Sequence, residues 1–252
     1  MGIYSTTLQI SKTAKGLIMS IKERIIDFIK KNRVSTTEVA DALGKVGALP
    51  QVLPVNADVH EVGEIFCVFT ANESNYQVHE EMRAVPENSI AIVFTEHCQG
   101  RAILGELVTK YALLYRGAKA LVVDGLVRDI AGIRRSKFKV WCKGTTPIGC
   151  FNKRAEQFEP IKRAAIEQRY QGAIAVCDDG GVVCIENHQM TEELLLSLER
   201  IELQEDIWFF CLDTLKWDTK KIVCDKAYLT APELFSAVHI EQMKALTDNN
   251  KS

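Results

Sequence analysis

The residues best suited to chemistry lie in one stretch, Gly105 to Asp129, which reads GELVTKYALLYRGAKALVVDGLVRD. Arg128 carries a permanently charged planar fork that matches a carboxylate, and Asp129 beside it is a hard oxygen ligand of the kind Mg²⁺ or Mn²⁺ takes. Glu106 opens a helical pattern, where free backbone N–H groups and the helix dipole also favour an anion. A carboxylate substrate held on a divalent cation fits this set. The same residue types also serve as a surface ion pair and a helix-start acid, so the residues alone leave both readings open.

The elements that must position these residues can be read from periodicity. Leu107, Val108, Tyr111, Ala112, Leu114 and Tyr115 recur near i, i+3, i+4 and i+7, which predicts one amphipathic helix between Gly105 and Arg116-Gly117. Ala118 to Val123 is a continuous apolar run that fits a buried parallel strand, with Asp124-Gly125 expected to turn the chain. Ligands of open α/β sheets gather at the carboxyl ends of strands, and Arg128-Asp129 follows such an end. A second buried strand is expected over Ser89 to Thr95, and a loop over Glu96 to Ala102. In that loop Cys98 sits beside His97, but chain neighbours do not normally supply nucleophile and base geometry, so His97 is read as a loop residue near the pocket mouth.

The rest of the chain supports this unit. Thr13 to Asn32 predicts an amphipathic helix, and Ser35-Thr36-Thr37-Glu38 is a capping box opening another that ends at Gly44 or Gly47. Gly63 to Thr70 reads as a strand, Gln77 to Val85 and Ile130 to Lys137 as short helices, and Phe138 to Cys142 as a strand. A Pro-started helix is expected from Pro160 to Tyr170, a long one from Thr191 to about Phe210, and a last one from Pro232 to Leu246.

Composition narrows the function classes. At 252 residues and 47% hydrophobic, the helix and strand alternation predicts a single buried core. A net charge of −2 from 31 basic and 33 acidic residues provides no field for nucleic acid or an anionic membrane. No apolar run reaches the roughly 20 residues that span a bilayer. The eight cysteines show no zinc spacing and are expected as reduced core thiols of a cytoplasmic protein.

The segment VVDGLVRD, followed by Lys143-Gly144-Thr145-Thr146-Pro147, resembles the RraA-like family, which includes regulators of ribonuclease E activity and 4-hydroxy-4-methyl-2-oxoglutarate aldolases. The likeness runs from about Ser35 to about Glu205, and STTEVADALG is similar to the family's early helix. Two departures stand out. Twenty-one residues separate Glu106 from Arg128, one more than in the aldolase branch, and Gln171-Gly172-Ala173 stands where the family has a Pro-Gly-Asp turn. The resemblance implies an α/β fold, a layered α/β/β/α swivelling-type domain over 34–212, with an N-terminal helical extension over 1–33 and a C-terminal helical extension over 213–252.

What the resemblance implies about function is a metal-dependent lyase on a 2-oxo acid, with Mg²⁺ or Mn²⁺ as Lewis acid. Arg128 would hold the carboxylate and the developing enolate oxygen, Asp129 the metal, and Glu106 a water for proton transfer. Gly105 and the backbone amides of Leu107 and Val108 would take the substrate carboxylate. An acid on the late helix of a neighbouring subunit, Glu199, Glu202 or Glu205, would complete the metal shell, within a homotrimer or hexamer. Aldol cleavage and oxaloacetate decarboxylation would share the enolate. The other reading is a non-catalytic protein-binding regulator of an RNA-processing enzyme.

Overall fold

The computed structural model describes residues 19–248. Eight strands, β1 (Leu53–Pro54), β2 (Glu61–Ala71), β3 (Ile90–Glu96), β4 (Ala102–Leu104), β5 (Ala120–Val127), β6 (Val140–Thr145), β7 (Ile174–Asp178) and β8 (Gly181–Ile185), form one mixed sheet. Its order is β1-β6-β5-β3-β2-β7-β8, with β4 added to β5. The centre is parallel, β2 to β3, β3 to β5 and β5 to β6, while β7, β8 and β1 are antiparallel additions. The chain before β1 curls onto β8 through Leu49 N–H to Val182 O and Cys184 N–H to Gly47 O, both 2.9 Å, so the sheet nearly closes.

Closure explains why the central strands are apolar on both faces. Side chains of one parity, among them Ile65, Phe69, Ile92, Val122 and Trp141, meet between the two halves of the curved sheet. Those of the other parity, including Val68, Val93, Leu121 and Val123, pack outward against α3 (Tyr76–Glu81), α4 (Glu106–Lys110) and α5 (Ile130–Arg135). The far outer face, with Val62, Ile174, Val176 and Val183, is covered by α1 (Ile21–Asn32), α2 (Thr36–Ala42) and the start of α7 (Glu192–Asp213). Helix, sheet, sheet, helix is therefore the layering, as expected. Phe69 is fully buried here, worth about 1.5–3 kcal/mol for one such side chain.

Local chemistry sets the element ends. Ser35 and Glu38 form the expected reciprocal capping box of α2, and Ser20 and Glu23 form another at α1. The expected start of the first helix at Thr13 lies outside the described residues. The helix α6 (Pro160–Tyr170) begins at its proline, with Glu159 accepting from the N–H groups of Ile161 and Lys162. At the turn after α6, Gln171 turns its amide oxygen to the Cys67 N–H at 2.9 Å.

Beyond the sheet, the distal half of α7 carries a separate apolar cluster. Ile207 and Cys211 pack with Ile222, Tyr228, Phe235 and Met243 from the segment leading into and through α8 (Ala237–Asp248). Among the described residues no helix is long and apolar enough to cross a membrane.

Candidate active site

The site is built where two strands end side by side. β4 pairs in parallel with β5, Ala102 beside Leu126 and Leu104 beside Val127, and the Arg128 N–H donates to Leu104 O at 3.0 Å. Each strand then runs straight into a short helix, β4 through Gly105 into α4 and β5 through Arg128-Asp129 into α5. Two helix starts are thereby brought together, and unpaired N–H groups of helix starts favour an anion between them.

Two details differ from the sequence expectation. The chain does not turn at Asp124-Gly125: β5 continues to Val127, and a register shift between Val123 and Leu126 absorbs the polar pair. Asp124 is neutralised there by Lys143 at 2.5 Å. The expected helix over 106–115 is α4 followed by a π-turn, Tyr111–Tyr115. Its buried side is Val108, Thr109 and Ala112, whereas Leu107 (80%), Leu114 (60%) and Tyr115 (73%) are exposed. The apolar period therefore merged a core face with an outward stripe.

Asp129 takes a left-handed backbone conformation, φ 59°, which Asp tolerates better than most residues. Although it stands at the start of α5, its carboxylate does not cap that helix. Instead Oδ2 reaches across to α4 and accepts from the Glu106 N–H at 3.3 Å. The Arg128 Nε lies 3.8 Å from the same oxygen. Both side chains are about half exposed, 47% and 50%. Gly105 makes the approach possible, since a Cβ there would stand 2.1 Å from Asp129 Oδ2 and 2.9 Å from Arg128 Cγ.

A cavity of about 110 Å³ opens at this corner. Gly105, Leu107, Val108, Arg128 and Asp129 form one side of it, and Asn75, His79, Gly149, Cys150 and Asn152 the other. Of the sequence candidates, the pair Arg128 and Asp129 and the helix start after Gly105 are thus brought together. Glu106 is adjacent but turned away: its carboxylate lies over α5, where a Cβ on Gly132 would be 1.9 Å from Oε2. Glu199, Glu202 and Glu205 lie on α7, and none walls the cavity. Burial, then the charges of Glu38 and its acidic neighbours, raise Glu202 and Glu205 above the usual carboxylate range. His97, read from sequence as near the pocket mouth, lines a different cavity with Glu96, Phe158 and Lys162.

The far wall was invisible in sequence. Asn75 is 7% exposed, donates its amide to Ile103 O at 3.2 Å and has no partner for Oδ1. It reaches the site because the chain before α3 is tied to the 148–151 segment, through Asn75 N–H to Phe151 O and Phe151 N–H to Glu73 O. No local pattern announces such a pairing.

The donor set can be tested against a metal. Among the described residues no group of three or more His, Cys, Asp or Glu side chains is arranged to hold one, which is unlike a caged structural site. One open carboxylate beside a cavity does fit a hard cation of the Mg²⁺ kind, which keeps several waters and takes the rest of its ligands from substrate oxygens.

The chain belongs to the RraA-like family (Aldolase/RraA), whose pattern matches residues 36–184, more than half of its length. A Halalkalibacterium halodurans protein provisionally named a 4-hydroxy-4-methyl-2-oxoglutarate aldolase is 32% identical over 123 residues, 48% of this chain and 58% of that one. Protein DlpA of Legionella pneumophila is 26% identical over 176 residues, 65% of this chain and 28% of its own. This chain spans less than two thirds of the length of either relative. Two solved structures share the fold. A Pseudomonas syringae protein of uncharacterised function has a TM-score of 0.59 at 20% identity, covering 76% of this chain and 92% of that one. Streptomyces coelicolor RraAS2, described as an unusual member of the RNase ES inhibitor RraA family, has 0.56 at 21%, covering 71% and 94%.

Proposed function

We propose that the protein is a divalent-metal-dependent carbon–carbon lyase acting on a 2-oxo acid, by aldol cleavage of the 4-hydroxy-4-methyl-2-oxoglutarate type, oxaloacetate decarboxylation, or both. The observation that carries this reading is the convergence of a half-exposed guanidinium and a half-exposed carboxylate on one cavity beside a helix start. Asp129 would hold Mg²⁺ or Mn²⁺, which would supply Lewis acidity to the 2-oxo acid. Arg128 donates to the substrate's oxygens and offsets the negative charge that grows on the keto oxygen as the C–C bond breaks. The N–H groups after Gly105, those of Leu107 and Val108, take the substrate carboxylate. Glu106, next to the cavity rather than in its wall, holds a water that returns the proton.

We further propose a homotrimer or hexamer. The exposed Leu107, Leu114 and Tyr115 supply an apolar contact face that begins at the cavity itself. In that assembly one of Glu199, Glu202 and Glu205 would complete the metal shell of a neighbouring subunit through water.

Pyruvate release from oxaloacetate and from 4-hydroxy-4-methyl-2-oxoglutarate, with Mg²⁺, with EDTA and in Arg128→Ala, tests the reading. Activity that needs metal and falls on the order of 10²–10³-fold in the variant is expected. Activity that survives both treatments contradicts it. Absence of activity with every metal returns the chain to the second reading, a non-catalytic regulator.

A further inference from the structure

The lyase reading leaves Cys98 and Cys150 unused, and they are the two thiols the fold brings together outside the core. Of the eight cysteines none is in a disulfide; five are buried, Cys224 is exposed, and Cys98 and Cys150 are half-buried. The Arg101 N–H donates to Cys98 O and the Cys150 N–H to Ala102 O, both at 3.0 Å, so both cysteines are tied to adjacent residues of one strand start. Their side chains pack on the same apolar cluster, and the Cys98 thiol donates to Glu96 O at 3.3 Å.

The surroundings hold this pair in place. Arg101 donates to Gly149 O at 3.1 Å, pairs with Glu73 at 2.9 Å and stacks on Phe151 at 4.4 Å, which pins the 149–151 segment against the turn that carries Cys98. The hydrogen bond from Cys150, against the opposing effect of burial, brings the Cys98 thiol down to about 7, while the same contact and burial push Cys150 up. That contrast, one sulfur readier to ionise and the other keeping its proton, is the division a two-cysteine oxidation requires. By contrast burial pushes Cys67 and Cys184 up to about 12, and Cys177 well above the ordinary thiol value, which leaves them inert.

We propose that Cys98 and Cys150 form an oxidation site, a dithiol that hydrogen peroxide converts to an intramolecular disulfide. The Cys98 thiolate attacks one peroxide oxygen, the O–O bond breaks, and a sulfenic acid and the first water result. Cys150 then loses its proton and its sulfur displaces the hydroxyl from Cys98, which leaves as the second water. Two thiols give up two electrons and two protons, and the peroxide takes them. The bond ties the 97–101 turn to the 149–152 wall, where the Arg128 guanidinium lies so close to Gly149 that a Cβ there would meet Nη1 at 2.5 Å.

Peroxide treatment of the full chain, then alkylation under denaturing conditions, intact mass and peptide mapping, decides the matter independently of any lyase activity. The expected result is loss of two hydrogens and one linked peptide pair containing Cys98 and Cys150, reversed by dithiothreitol. In Cys150→Ser, dimedone is expected to label Cys98 alone. Full alkylation of both thiols after peroxide, a bond to any other cysteine, or oxidation of Cys224 while Cys98 and Cys150 stay reduced would overturn the proposal. The wild-type map alone suffices should a variant fail to fold.

Discussion

Two aspartates end strands of the same sheet and are used in opposite ways. Asp178, at the end of β7, accepts from the Thr36 N–H at 2.7 Å, the Thr36 hydroxyl at 2.6 Å and the Gly180 N–H at 2.8 Å, and its carbonyl takes the Trp141 indole N–H at 2.8 Å. Its carboxylate is fully committed to joining α2 to the sheet. Asp129, just past β5, accepts one long hydrogen bond at 3.3 Å, keeps a guanidinium at 3.8 Å and leaves half its surface to solvent. A half-buried carboxylate that accepts three short hydrogen bonds stabilises a fold. An acid held in a left-handed backbone with spare acceptor capacity is available to a ligand.

The comparison breaks most directly by substitution at both positions. Asp129→Asn is expected to lower kcat/KM for oxaloacetate by on the order of 10³-fold while changing stability by less than about 0.5 kcal/mol. Asp178→Ala should do the reverse: stranded donors cost about 2–4 kcal/mol, a fall in Tm of roughly 5–15 °C, with near-normal activity at low temperature. Equal losses of activity in the two variants, read by pyruvate release and calorimetry, would remove the distinction.

A smaller effect tests whether Glu106 works from beside the cavity. In Gly132→Ala the new methyl displaces the Glu106 carboxylate, so activity should fall about tenfold with stability nearly unchanged, and Glu106→Gln should match it. An active Gly132→Ala with an inactive Glu106→Gln would mean that the carboxylate's present position is not its working one.

The smallest expected effect lies on α7. Glu202 and Glu205 are raised above the ordinary carboxylate range by burial and like charge, so their contribution favours the fold below pH 4.5 and is lost as pH rises through their folded values. Glu202→Gln should therefore raise Tm by about 1–2 °C at pH 7 and by nothing at pH 4, since a solvent-screened, half-buried like-charge contact is worth a few tenths of a kcal/mol. An equal rise at both pH values would assign the effect to something other than charge.

How much of this was legible depends on how locally each feature is encoded. The Ser35/Glu38 box and the Pro160 helix start are satisfied within four residues of their own chain, so sequence sufficed. The strands SIAIVFT and AKALVV were legible because the sheet curls and both of their faces are covered. β4 was missed because three residues, Ala102–Leu104, carry no period. The continuation of β5 was missed because Asp124 and Gly125 look like a turn until Lys143 is seen to neutralise the one. Arg128 and Asp129 could be found because they adjoin a readable strand. Asn75, Cys150 and Asn152 could not, since the 148–152 segment reaches the cavity only through backbone pairing with Glu73 and Ala102.

The central claim is that Arg128 and Asp129 grip a keto acid jointly, through a cation. Binding of Mn²⁺, followed by electron paramagnetic resonance in titrations with and without saturating pyruvate, tests it. The account predicts that pyruvate tightens Mn²⁺ binding by about tenfold or more, as coupling between two ligands of one site requires, that the coupling shrinks in Arg128→Ala, and that Asp129→Asn binds neither form well. Mn²⁺ affinity indifferent to pyruvate, or retained in Asp129→Asn, would contradict it.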